Sequence, residues 1–281
     1  MELRKVLILG SRGMLGRDLA VAFQGTGVLT RWDREELNIT NQGAVLKSIG
    51  ALSPDLIINA TGYTDVEGAE EHRELAFGIN AEAVSSLVSA AESVGARFVH
   101  FSTEYVFDGE SKAGYGEDTS VRPLNVYGES KAAGEKFVMA YPKGYLVRTS
   151  WLYGHTPQRG KPRGMNFIDT ILAKAKAGEP LRVVNDQFGK LTATYDLAQA
   201  VRTLVSGVYA PGTYHLVNEG IATWYDVAVE ALRISGLQTA VEPVSSSRYP
   251  MKAKRPRYGV LLNAKLPPLR PWQEALHDYL T

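Results

Sequence analysis

The chain has 281 residues, 44% of them hydrophobic and 22% charged, and its 31 Lys and Arg nearly balance 30 Asp and Glu to a formal net charge of +1. This is enough apolar chain for one large α/β domain or two closely joined ones, and the near-neutral charge leaves no footprint for nucleic acid or an anionic membrane surface. The absence of cysteine excludes disulfides, thiolate metal sites and a cysteine nucleophile.

The first apolar run, Val6 to Leu9, ends after four residues at Gly10, too short for the apolar core of a secretion signal. No stretch approaches the roughly 18 apolar residues of a spanning helix. A cytoplasmic location is therefore expected, and it suits a chain without disulfides. Further apolar runs follow at 28–32, 56–60, 98–102 and 145–150, and helix-like stretches lie between them near 14–24, 41–50, 80–95 and 127–140. Continuous apolar runs read as strands buried on both faces, and helical crossovers join parallel strands. The expected fold class is α/β, a Rossmann-like doubly wound parallel sheet.

After Trp151 the rhythm loosens. The segment 155–164, rich in Gly, Pro and basic residues, reads as a loop. Helices are expected at 166–177, 195–206 and 223–235, short strands at 181–184 and 214–217, and a largely irregular run over 242–271. This divides the chain into an NAD(P)-binding domain over 1–150, to which the chain returns around 190–217, and a smaller substrate-binding lobe from 151–189 and 218–281. The histidines His72, His100, His155, His215 and His277 are scattered without ligand spacing, so no metal site is expected.

Gly10-Ser11-Arg12-Gly13-Met14-Leu15-Gly16 follows the first strand and opens the first helix. Glycines there permit a tight turn and close approach of backbone to a diphosphate, and the helix start offers free N–H groups to it. The second strand ends at Trp32, followed by Asp33 and Arg34. An acidic residue at that place receives the adenine-ribose hydroxyls of NAD, whereas a nearby arginine suits the phosphate of NADP. Asp33 points one way and Arg12 with Arg34 the other, so the cofactor is NADPH or NADH.

Tyr127 and Lys131 form the only Tyr-x-x-x-Lys in the chain. Residues i and i+4 share a helix face, so a phenol and an ammonium can point into one cleft, and the ammonium is expected to lower the phenol pKa toward the working range. A hydroxyl from the end of the fourth strand, Thr103 or its rival Ser102, would hydrogen-bond the reacting carbonyl.

At these residues the sequence resembles the extended short-chain dehydrogenase/reductases, and within them the dTDP-4-dehydrorhamnose reductase family. The resemblance runs over most of the chain and is carried by the glycine loop and the segments 59–70, 101–109, 123–136, 148–154, 185–189, 223–228 and 255–256. It implies reduction by NAD(P)H of the 4-keto group of dTDP-4-dehydro-L-rhamnose, a nucleotide-sugar partner, and a monomer or homodimer. Thr103, Tyr127 and Lys131 match the family's catalytic triad. The cofactor contacts implied are Gly10, Arg12, Gly13, Met14, Leu15, Gly16, Asp33, Arg34, Asn38, Ile39, Gly62, Tyr63, Thr64, Tyr127 and Lys131. Thr103, Glu104 and Trp151 match sugar-nucleotide contacts. Glu104 stands where aspartate is common, Asn38-Ile39 replaces an acidic–apolar pair, and Leu191 replaces a proline. Asp18 and Tyr195 stand at the places of glutamates that bind Mg2+ at a dimer interface in some members, so neither that metal nor that dimer carries over. The same motifs admit another nucleotide-sugar reductase or epimerase, or a non-catalytic NADP-binding regulatory subunit like that of methionine adenosyltransferase.

Overall fold

A computed structural model describes residues 3–158 and 164–281. The loop expected over 155–164 includes residues 159–163, which lie outside the described residues. The chain opens with β1 (Lys5–Leu9), α1 (Met14–Ala22), β2 (Val28–Trp32), α2 (Gln42–Leu52) and β3 (Leu56–Asn59). Next come α3 (Val66–Glu71), α4 (Arg73–Phe77), a π-helical turn at Gly78–Glu82, α5 (Ala83–Val94) and β4 (Arg97–Thr103). Helix α6 (Val126–Ala140) then leads into β5 (Gly144–Thr149).

These five strands and the strand Gly212–His215 form one six-stranded sheet, ordered β2-β1-β3-β4-β5 and then Gly212–His215, and every pairing is parallel. Alternation along β1 shows why helices cover both faces. Val6 and Ile8 pack with Leu19 of α1 and with Leu197 and Val201 of α8 (Thr194–Leu204). Leu7 and Leu9 face the other way, against Val45 and Ile49 of α2 and Val84 and Leu87 of α5. All are buried, so truncating one such side chain to Ala would cost about 2–5 kcal/mol. The chain passes from β2 across β1 to β3, so strand order reverses beside β1, and ligand crevices of such sheets open there, at the carboxyl ends.

A second body is built from α7 (Phe167–Lys176), α9 (Trp224–Ile234) and α10 (Trp272–Leu280). Tyr153, Ile168, Leu191, Val227, Trp272 and Leu276 are its buried core. Leu191, which replaces the family's proline, is therefore a core residue. Side-chain capping boxes, Asn166 with Asp169 and Thr223 with Asp226, start α7 and α9. One expectation needs correction. The strand placed at 214–217 runs over Gly212–His215, because Gly212 to His215 pair with Tyr145 to Arg148. The run 242–271 is largely irregular, with Val241–Val244 paired to Leu181–Val184 and Tyr258–Gly259 to Phe188–Gly189. The final helix α10 carries no motif and was not expected.

Candidate active site

At the end of β1 the chain turns at Gly10, whose φ of +75° suits glycine and whose Cβ would lie 2.9 Å from the Ala60 carbonyl carbon. Gly16 lets α1 cross this turn so closely that a Cβ would stand 2.1 Å from the Gly10 oxygen. Gly13 is the N-cap of α1 without a side-chain cap, which leaves the first-turn N–H groups for an anion. The turn opens into a cavity of about 1420 Å³ that runs along the carboxyl edge of the sheet and under the second body. Gly10, Gly13, Met14 and Leu15 line it at one end, with Asp33, Arg34, Asn38 and Ile39 beside them. A backbone cradle at a helix start, continued by a cavity of this size, fits a dinucleotide.

Gly62, Tyr63 and Thr64, at the exit of β3, line the middle. Asn80 holds that exit in place: its Oδ1 accepts from Tyr63 N at 2.9 Å, and its Nδ2 donates to Tyr63 O at 3.0 Å and to Ser130 Oγ at 2.9 Å. Asn80 sits in the π-helical turn, a widening found often at functional sites.

Thr103, Glu104, Tyr127, Lys131 and Trp151 line the far end. Asn125 caps α6 by accepting from Gly128 N, and this start brings Tyr127 and Lys131 onto the inner face one turn apart. Lys131 Nζ donates to Phe101 O at 2.6 Å and lies 3.4 Å from His100 Nε2. His100 is buried and kept uncharged by desolvation and by the ammonium beside it. Burial brings the Lys131 pKa down to about 8, opposed by the Glu135 carboxylate one turn further along α6.

The Thr103 hydroxyl donates to Glu104 Oε2 at 2.8 Å and is in hydrogen-bond contact with the Tyr127 phenol. Burial pushes the Glu104 carboxyl up to about 7, against the pull of its bond to Thr103 and of Arg255. The expected depression of the Tyr127 pKa by Lys131 is corrected here. Burial, then the Glu104 charge, push the phenol up, while the ammonium is bound to the Phe101 carbonyl. Tyr127 is thus held in its protonated form. Ser102, the rival to Thr103, also lines the cavity, and its buried Oγ has no hydrogen-bond partner.

Trp151 takes a left-handed backbone conformation with φ +46°, an outlier for a bulky residue. Its indole stacks on Trp224 at 3.8 Å between ring centroids, backed by Gly189, where a Cβ would come within 2.6 Å of the ring. One face is therefore already covered by Trp224. Arg255 lines the same end, donating to Tyr105 Oη at 2.8 Å and to Glu67 at 3.2 Å.

Of the residues singled out from the sequence as cofactor or substrate contacts, Arg12 and Gly16 lie off the cavity wall. Gly16 is packed beneath Gly10, and the Arg12 guanidinium is bound outside by Glu35 and Glu36. Asn38 lines the wall, but its Oδ1 accepts from Thr40. Asp18 bonds Thr194 and Tyr195 is exposed, and no cluster of three metal-ligating side chains occurs among the described residues. No helix among them is long and apolar enough to cross a membrane. Sequence reasoning missed Asn80, and Trp224 and Glu135 had signalled only as members of the family segments 223–228 and 123–136. Arg255 had signalled only through its family motif.

A parallel dinucleotide-type sheet, a glycine turn at its switch point and a Tyr-Lys helix face at the same opening define an extended short-chain dehydrogenase/reductase. The family model described as "RmlD substrate binding domain" matches residues 4–281. Escherichia coli dTDP-4-dehydrorhamnose reductase is 38% identical, covering 89% of this chain and 87% of its own. A solved dTDP-4-dehydrorhamnose reductase from Clostridium acetobutylicum is 40% identical with a TM-score of 0.91, covering 98% of each chain. That of Bacillus anthracis, solved in complex with NADP, is 34% identical with a TM-score of 0.91 over 99% of each. The chain belongs to the RmlD substrate binding domain family.

Proposed function

We propose that the protein reduces the 4-keto group of dTDP-4-dehydro-L-rhamnose with NADPH or NADH, forming dTDP-L-rhamnose. The observation that carries this reading is the placement of a protonated phenol, Tyr127, and an ammonium, Lys131, on one face of α6, in the same cavity as the glycine turn. Family membership supports the substrate assignment.

The reduced cofactor, held by the glycine turn and the 62–64 exit, would when bound supply a hydride to C4 of the sugar. Tyr127 gives its proton to the C4 oxygen as the carbonyl becomes an alcohol, and is left as phenolate. Thr103 turns its hydroxyl from Glu104 toward that oxygen and shares the developing charge. Lys131, buried and donating to the Phe101 carbonyl, would hold the ribose of the bound cofactor. Glu104 accepts from the sugar hydroxyls, and the uncovered part of the Trp151 indole packs against the deoxysugar. Asp33, Met14, Leu15, and the 62–64 exit hold the cofactor. In this reading residues 1–150 and 190–217 serve the cofactor, and 151–189 with 218–281 serve the sugar nucleotide. The enzyme works in the cytoplasm as a monomer or homodimer.

The test is direct. Purified protein is mixed with the keto sugar nucleotide and each reduced cofactor, and absorbance is followed at the wavelength of reduced nicotinamide. Stoichiometric oxidation with dTDP-L-rhamnose as product is expected. Interconversion of sugars without net oxidation would point instead to an epimerase.

A further inference from the structure

Lys131 is met from the sheet side by a row of hydrogen bonds that starts at the exit of β3. Asn59, the last residue of β3, pairs with His100 of β4, and both are buried and absent from the cavity wall. Asn59 Oδ1 accepts from Thr61 N at 3.1 Å and from Thr61 Oγ1 at 2.5 Å. Asn59 Nδ2 lies 3.1 Å from His100 Nδ1, and His100 Nε2 lies 3.4 Å from Lys131 Nζ. A backbone N–H only donates, so the Asn59 oxygen must face Thr61 and the Asn59 NH2 must face the imidazole. A donor at that place makes Nδ1 the acceptor. Burial, then the Lys131 charge, keep His100 uncharged, and a neutral imidazole with a bare Nδ1 carries its proton on Nε2. That N–H faces Lys131 Nζ, which can accept it only as an amine.

We propose that Asn59 and His100 are positioning residues that set the protonation of Lys131: by presenting an imidazole N–H to its nitrogen, they disfavour the ammonium and poise the side chain between amine and ammonium at working pH. The inference rests on the reductase reading above, which gives Lys131 its task, and adds two residues behind it. An ammonium has three donors and no acceptor. One is used on Phe101 O at 2.6 Å. Toward His100 a second meets another donor, so the charged form gains no hydrogen bond there in return for leaving water. Of the charged groups packed around Lys131, Glu135 on α6 favours the ammonium, but it is already bound to Arg148 at 2.9 and 2.7 Å. Tyr127, on the same face of α6, is held protonated, and Glu104 past β4 is bonded by Thr103. From the β3 exit the approach is by backbone, at Gly62, whose Cβ would stand 3.9 Å from Nζ. Asn80 of the π-helical turn is uncharged and bonded to Tyr63 and Ser130. Burial alone brings the Lys131 pKa down toward 8, and the imidazole N–H keeps it from recovering.

The measurement is NMR on the full-length protein without cofactor or sugar. Imidazole 15N shifts report the tautomer of His100, and the 13Cε shift of Lys131 reports its charge, with His100→Gln and Lys131→Met identifying the two signals. Wild type is expected to carry the His100 proton on Nε2, with Lys131 titrating near pH 8. Asn59→Asp still accepts from Thr61 but offers His100 an acceptor. It should move the imidazole proton to Nδ1, give the ammonium an acceptor at Nε2, and raise the Lys131 pKa by at least about one unit. His100→Phe removes the facing donor without adding a charge, and should raise that pKa by a smaller amount. The alkaline limb of turnover should move upward with it in both variants, a shift that loss of packing alone would not produce. A wild-type His100 with its proton on Nδ1, or a Lys131 pKa that fails to rise in either variant, overturns the proposal. If the variants do not fold, the wild-type tautomer decides alone. Because these signals are read without turnover, their appearance in a protein that reduces no keto sugar would overturn the reductase reading and leave the tuning of Lys131 standing.

Discussion

The two ends of the cavity use similar charges in different surroundings. At the catalytic end Thr103, Glu104 and Lys131 are each no more than 6% exposed, and behind them the Arg148–Glu135 pair is 3% and 2% exposed. At the other end, past β2, the Arg12–Glu35 pair is 44% and 61% exposed. Water screens the second set and not the first, so an identical charge removed at either end has unequal consequences. Burial fixes protonation states at the first end, whereas exposure leaves the charges at the second end screened.

The largest effect is expected at Tyr127. Replacing it with Phe removes the proton donor and should lower turnover about 10²–10⁴-fold, measured under saturating cofactor and sugar. Activity close to wild type would remove the phenol from the reaction. Next comes Glu135→Gln, which strands the Arg148 guanidinium that Glu135 now binds at 2.9 and 2.7 Å. Loss of one partner of a buried pair costs about 3–5 kcal/mol, read from the urea midpoint, and Glu135→Leu/Arg148→Met should recover most of it. The same substitution should move the Lys131 pKa below its present value near 8. A small stability change would mean that burial matters less here than the comparison holds.

Glu104 supplies a test in pH. Its carboxyl is raised to about 7, so it is neutral below that pH and charged above. As pH rises through about 7 the charge opposes phenolate formation on Tyr127, and turnover should fall, with a further limb near pH 8 from Lys131. Glu104→Gln should abolish the first limb and keep the second. Stability follows the same sign. Because the folded pKa is raised, the contribution is fully present below the ordinary carboxyl range and is lost as pH rises through about 7. The melting temperature of wild type should therefore drop over that window relative to Glu104→Gln. The smallest effect is reserved for Arg12→Ala, which keeps the backbone N–H that Asp33 accepts. It should change NADH affinity less than about threefold.

Much of the fold was legible because fully buried parallel strands leave continuous apolar runs, and β1 to β5 fall on the runs singled out. The glycine turn and the Tyr127–Lys131 pair were legible for a similar reason, since their geometry depends on residues adjacent in the chain. What escaped depends on distant partners. Trp224 covers Trp151 from 73 positions away, Asn80 clamps the exit of β3 at Tyr63, and Glu35 with Glu36 capture Arg12 across the β1–β2 connection. The reversed direction of the Tyr127 shift has the same origin. Spacing brings an ammonium near a phenol, but only packing shows that desolvation and the Glu104 carboxylate outweigh it.

The central claim is that Tyr127 delivers a proton to a sugar oxygen while hydride reaches the adjacent carbon. It is tested most directly by a single turnover of the keto sugar nucleotide with reduced cofactor deuterated at the transferring position of the nicotinamide. The account predicts one deuterium at C4 of the product from wild type, and a rate at least about a hundredfold lower from Tyr127→Phe. Deuterium left on the cofactor, or transfer at an undiminished rate in the variant, would contradict it.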